Sequence, residues 1–150
     1  MFQSVAKPGN DPVVGGSCGR LNAATAIATK MEATQAQGVN VQMGAMQFAA
    51  SSLTHIPMTD LQSFKDSLSV ENYCQGKDGT NYESALNEAK TQLQGVEGRK
   101  LVYFITDGAP TIQDSLLGSP LDSGLTTATD FRNSTQDLTF NAIYLNSGGP

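Results

Sequence analysis

Thr80 and Asp107 are the residues whose types and spacing could do chemistry in this chain. They sit in Gly79-Thr80-Asn81-Tyr82-Glu83-Ser84-Ala85-Leu86 and Lys100-Leu101-Val102-Tyr103-Phe104-Ile105-Thr106-Asp107-Gly108. A hydroxyl opens a helix, and a carboxylate ends a strand about 27 residues later. In a parallel sheet both groups arrive at the carboxyl ends of the strands, where open α/β sheets bind ligands. One hydroxyl and one carboxylate oxygen suit a hard cation such as Mg²⁺, which takes oxygen ligands and keeps several waters. A competing role exists for Thr80. Thr80-x-x-Glu83 has the form of a capping box, in which the hydroxyl satisfies a helix amide and the glutamate reaches back.

The elements that must position these groups follow from periodicity. Leu21, Ala24, Ala28 and Met31 recur at helical steps, and Gly38 ends that helix. Val39, Val41, Met43 and Ala45 alternate with polar residues and predict a strand running to Phe48. Ser51 to Ile56 predicts a short edge strand ended by Pro57. Asp60 to Leu68 predicts a short helix capped by Thr59 or Asp60. Tyr82, Ala85, Leu86, Ala89 and Leu93 form the apolar stripe of a helix over 82–93. Leu101 to Ile105 is a continuous apolar run, expected to be a central strand covered on both faces. Residues 108–125 predict a long surface loop, 126–133 a weak helix, and Leu138 to Leu145 the last strand. Helices alternating with strands define an α/β chain with a doubly wound, Rossmann-like, mostly parallel sheet and helices on both faces. Residues 1–19 are expected to be an irregular loop and 20–150 the core of a single domain.

Composition narrows the function. The 150 residues carry a net charge of −5, which disfavours nucleic acid or an anionic membrane surface as partner. No apolar run is long enough to span a bilayer. His55 is the only histidine, so neither a zinc site nor a Ser/His pair is expected, and His55 is taken as an edge-strand surface residue. Asp11, Asp78, Asp114 and Asp122 lie in predicted loops as solvated turn residues or an acidic rim. Cys18 and Cys74 are the only cysteines. Each is read in a Gly/polar segment just before a helix, and two such loops share one edge of a parallel sheet. A bridge between them would close a loop of roughly 56 residues, worth on the order of 4 kcal/mol. The alternative is two free thiols, as in a reducing cytosol. Asn133-Ser134-Thr135 fits the N-glycosylation pattern, a frequent chance match.

The Gly-Thr-Asn-Tyr and Ile-Thr-Asp-Gly segments together resemble the von Willebrand factor A domain. In that family an Asp-x-Ser-x-Ser loop, a Gly-Thr loop and an Asp-Gly after the fourth strand build a metal-ion-dependent adhesion site. The resemblance extends to the strand at Val39 to Phe48 with its trailing serines, Ser51 and Ser52. It implies that Thr80 is a metal ligand and that Asp107 contacts the metal through water. It further implies an ion of Mg²⁺, Mn²⁺ or Ca²⁺ type completed by an exposed Asp or Glu of a protein partner.

The chain departs from the family in lacking Asp-x-Ser-x-Ser. It is therefore read as a fragment without the first, central strand and without the C-terminal helix and strand. On that reading metal binding is weak or absent, and two strands flank a slot about 4.8 Å wide on each side. The chain is then marginally stable or aggregation-prone unless those strands close on each other, which a sharp, reversible monomeric melt would contradict. The expected function is an adhesion or protein-binding module, not an enzyme, in an extracellular, periplasmic or cell-surface location. The alternatives are an intracellular assembly factor beside ATPase or chelatase machinery, and a phosphate-ester hydrolase using Asp107.

Overall fold

The structure, a computed structural model, describes residues 13–74, 79–106, 108–116 and 118–144, with 53–55 described by backbone alone. Asp107 lies outside the described residues, as do Asp11 and Asp78. The chain is mixed α/β, with five helices and two two-stranded sheets among the described residues. In chain order these are α1 (Gly19–Gln35), β1 (Gln42–Phe48), β2 (Ser52–Asp60), α2 (Leu61–Ser67), α3 (Val70–Tyr73), α4 (Tyr82–Leu93), β3 (Lys100–Thr106), α5 (Pro120–Ser134) and β4 (Leu138–Tyr144). β1 pairs with β2 as an antiparallel hairpin, β3 pairs with β4 in parallel, and the two sheets do not pair with each other.

The chain divides into two compact units. The first holds residues 1–45 and 56–77 together with 147–150. Its core is Ala28 from α1, Ile56, Leu61 and Phe64 of α2, and Tyr73 of α3, with Leu21, Met31, Met43 and Ala45 packed around them. Asp60 caps α2 by accepting from the Ser63 amide at 2.9 Å, and Lys65 of α2 pairs with Glu32 of α1. Gly44 is required by close approach, because a Cβ there would lie 2.9 Å from the Ile56 carbonyl oxygen.

Cys18 and Cys74 stand at bonding distance, with S–S 2.08 Å and Cα–Cα 5.7 Å. Both are buried, although the Gly/polar segments that hold them read unlike the setting of buried structural thiols. Cys18 is the N-cap of α1, whereas Cys74 is the C-cap of α3 and so follows a helix instead of preceding one.

Pro57 does not end its strand; β2 runs on to Asp60. Among the described residues β2 pairs only with β1, and an edge strand tolerates the missing proline donor on its free side. His55 falls in the backbone of β2, and its side chain is outside the described set.

The second unit holds residues 46–55 and 78–146. β3 and β4 run in register from Lys100↔Leu138 to Thr106↔Tyr144. Val102 and Phe104 pair with Phe140 and Ala142, and this face meets the helices through aromatic contacts. Tyr82 of α4 stands edge-on to Phe104 at 5.0 Å, and Phe131 of α5 edge-on to Phe140 at 6.2 Å. Phe48 stacks on Phe104 at 5.1 Å. Gly124 of α5 lets the helices approach, since a Cβ there would sit 2.8 Å from Tyr82 Cβ. The opposite face is not covered as the apolar run had suggested. Leu101, Tyr103 and Ile143 are each about two-fifths exposed, because the aromatic contacts from α4 and α5 fall on the Phe104 side.

α5 begins well before the weak helix expected from Thr126. Ser119 and Asp122 form a reciprocal capping box and Pro120 occupies the first turn, a favourable start because proline's missing donor is an orphan there anyway.

Candidate functional site

Three segments of the second unit converge at the N-terminus of α4: the turn 49–52, residues 79–84, and the end of β3 with the loop after it. Asn81 organises the junction. It is fully buried, and its side chain accepts from the Ser84 amide at 3.0 Å, which makes Asn81 the N-cap of α4. Its Nδ2 donates to the Ala50 carbonyl at 3.1 Å and to Asp114 Oδ1 at 2.8 Å. Its backbone N–H donates to the Ala49 carbonyl at 2.8 Å. Ser52 and Ser84 add a second tie, with the Ser52 amide donating to Ser84 Oγ at 3.2 Å.

The cap therefore does not belong to Thr80, as the capping-box pattern had allowed. Tertiary acceptors on the turn after β1 and on Asp114 fix the Asn81 amide in place, so the helix starts one residue later. No described residue hydrogen-bonds the Thr80 hydroxyl. The Thr80 backbone is held tightly nonetheless: its N–H donates to Thr111 Oγ1 at 3.0 Å. Its carbonyl accepts from the amides of Thr111 at 2.8 Å and Ile112 at 3.2 Å.

Glu83 does not reach back to the cap. Its Oε2 accepts from the amides of Asp114 and Ser115, both at 2.9 Å, and from the Ser123 hydroxyl. These donors hold its carboxyl below the usual glutamate range, the Ser123 hydroxyl first and the Ser115 amide next. Nothing in the sequence marks this role, which depends on a loop folding back over 31 residues. Asp114, read as a solvated rim residue, is the partner of Asn81. Asp122 lies in the capping box of α5, where the Ser119 hydroxyl lowers its pKa.

Gly79 is required twice over. Its φ is +83°, a region open to glycine, and a Cβ there would meet Ile112 Cδ1 at 2.6 Å and Ala50 Cβ at 3.2 Å.

Both described neighbours of position 107 are tied to this helix start. The Tyr82 hydroxyl donates to the Gly108 carbonyl and to Thr106 Oγ1 at 3.3 Å. A Cβ built on Gly108 would lie 3.9 Å from Thr80 Oγ1. Asp107 itself is outside the described residues, so its distance to Thr80 is not part of this geometry. Ser51 is exposed at the turn, and Ser52 is engaged with Ser84. The described groups can offer a cation the Thr80 hydroxyl oxygen, which no other described residue bonds, beside the end of β3. Among the described residues no group of three or more His, Cys, Asp or Glu side chains could hold a metal ion. The Thr80 oxygen fits a hard ion that keeps most of its waters better than a cage of carboxylates.

Comparison with protein-family models, with curated proteins and with solved structures finds no match for this chain.

Proposed function

We propose that this chain is a divalent-metal-dependent protein-binding module of von Willebrand factor A type, built on a doubly wound α/β layer. Thr80 is the direct ligand of an ion such as Mg²⁺, Mn²⁺ or Ca²⁺, and Asp107 holds it through water. The ion supplies the positive charge that an acidic chain lacks at its surface and takes an Asp or Glu of a protein partner as a further ligand. The single observation that carries this reading is the Thr80 hydroxyl beside Gly108, which no described residue hydrogen-bonds, with helix capping assigned to Asn81. A threonine at a helix start whose hydroxyl does no capping has an oxygen to spare.

One further observation weighs against a phosphate-ester hydrolase. A hydrolase using Asp107 would need a second catalytic carboxylate or a general base, and the two carboxylates at the start of α4, Glu83 and Asp114, are engaged by three donors and by Asn81 respectively. The paired cysteines favour an extracellular, periplasmic or cell-surface setting over a reducing one, and with it adhesion over intracellular assembly beside an ATPase or chelatase. With so few protein ligands the affinity for the metal alone is weak.

The test is binding of two labelled peptides that differ only by Asp against Asn. The Asp peptide is expected to bind in millimolar Mg²⁺ and not in EDTA, and the Asn peptide in neither. Binding that ignores both the metal and the carboxylate overturns the reading.

A further inference from the structure

We infer that Asn133 is an N-glycosylation site, its side-chain amide carrying an oligosaccharide at the C-terminal end of α5. Of the asparagines in the chain, Asn133 alone is followed two places on by Ser or Thr, and the intervening Ser134 is not proline. The acceptor pattern needs an amide and a hydroxyl in that order. Three features of the fold separate this instance from a chance match.

The first is exposure on the right flank. α5 faces the core through Ser123, Gly124 and Phe131, and Asn133 follows Phe131 by two residues, roughly 200° round the helix. Thr126, Asp130 and Asn133 recur at four- and three-residue steps, and all three are exposed. Leu125, Ala128 and Arg132 turn instead toward the groove beside β4. The Asn133 stripe lies on the other flank, so its exposure owes nothing to the edge of β4.

The second is that the reacting groups are not engaged. No described residue hydrogen-bonds the Asn133 amide or the Thr135 hydroxyl. Thr25, Thr29, Thr91 and Thr129, by contrast, each donate to the carbonyl four residues back. Thr135 is the C-cap of α5, with extended backbone at φ −117° and ψ 113°, so the acceptor pattern straddles the point where the helix stops. Helix ends open at low cost, and a transferase can draw these three residues into its own site while Phe131 stays buried.

The third is the setting and the place in the sheet. The bonded Cys18–Cys74 pair matches an oxidising, secretory compartment, where this modification belongs. Asn133 precedes β4 at the Lys100↔Leu138 end of the sheet, whereas Thr80 lies beside Gly108, after the other end. A glycan at Asn133 therefore leaves the Thr80 edge open to a partner. In the transfer, Asn133 Nδ2 forms a bond to C1 of the first sugar of a lipid-linked oligosaccharide. The bond from C1 to the pyrophosphate oxygen breaks, the lipid pyrophosphate leaves, and the amide gives up one proton, with no oxidant or reductant involved.

The experiment is to produce the full chain behind a cleavable secretory leader in eukaryotic cells and read its mass before and after peptide N-glycosidase. The secreted chain is expected above 15.8 kDa, and the digested chain with aspartate in place of the asparagine. Asn133→Gln and Thr135→Ala are each expected to abolish the shift and Thr135→Ser to keep it, so a variant that fails to fold is backed by a second. Translation with microsomes covers a chain retained in the cell, the heavier band then appearing only with membranes. A translocated chain that stays at 15.8 kDa, or a shift that survives Asn133→Gln, overturns the proposal.

Discussion

The two units of this chain spend their residues differently. In the first, cohesion comes from an apolar cluster around Phe64 and Tyr73 and from the Cys18–Cys74 pair, and its polar bonds are mainly ordinary caps such as Asp60 and Ser69. In the second, an aromatic row of Phe48, Tyr82, Phe104, Phe140 and Phe131 supports a polar junction. There one buried asparagine and one glutamate gather donors and acceptors from three chain segments. Buried polar networks contribute little net stability but make local geometry strict. A network in which no described residue engages the Thr80 hydroxyl is where a ligand site is most reasonably sought.

The contrast can be broken at several levels. Phe64→Ala and Phe131→Ala each empty a fully packed position and are expected to cost about 3–5 kcal/mol. Hydrogen exchange should show the loss centred on residues 56–74 for the first and on 120–144 for the second. Equal loss of protection everywhere would mean that the chain melts as a single block. Reducing the Cys18–Cys74 bond should cost roughly 4 kcal/mol, again with amides near α1 and α3 affected before those of α4.

Asn81→Ala removes a helix cap and leaves the Ala50 carbonyl and Asp114 without their donor. Denaturant melts should register about 2–4 kcal/mol, far above the few tenths expected for an exposed asparagine. Glu83 gives a smaller and pH-dependent effect. Its folded pKa is lowered, so its contribution is fully present above the ordinary glutamate range and is lost as pH falls through the lowered value. Glu83→Gln is therefore expected to be less stable than wild type at neutral pH. The gap should close on acidification, and a constant gap would detach Glu83 from the loop.

How much of this was legible in the sequence depended on whether a feature is local. The stripe Tyr82–Ala85–Leu86–Ala89–Leu93 announces α4 because its period sits in consecutive residues. β3 and β4 were equally plain, being runs of β-favouring apolar residues, but which face the helices cover was not written there. Proline, serine and glycine between 108 and 125 masked the start of α5, although Ser119-Pro120-Leu121-Asp122 is itself a capping signal. At the start of α4, Thr80 and Asn81 are both competent caps, and only the carbonyls of Ala49 and Ala50 and the Asp114 carboxylate decide between them. Glu83 shows the same limit, since its partners arrive from a loop that local pattern describes only as polar.

The central claim is that the Thr80 hydroxyl, relieved of capping by Asn81, serves a metal. Paramagnetic broadening by substoichiometric Mn²⁺ in wild type and Thr80→Val, compared at matched thermal stability, tests this most directly. Broadening is expected to centre on the amides of Thr80, Asn81 and Gly108 and to be lost in the valine variant, with a change in stability below about 0.5 kcal/mol. Broadening scattered over exposed carboxylates, or a localised signal that survives Thr80→Val, would contradict it.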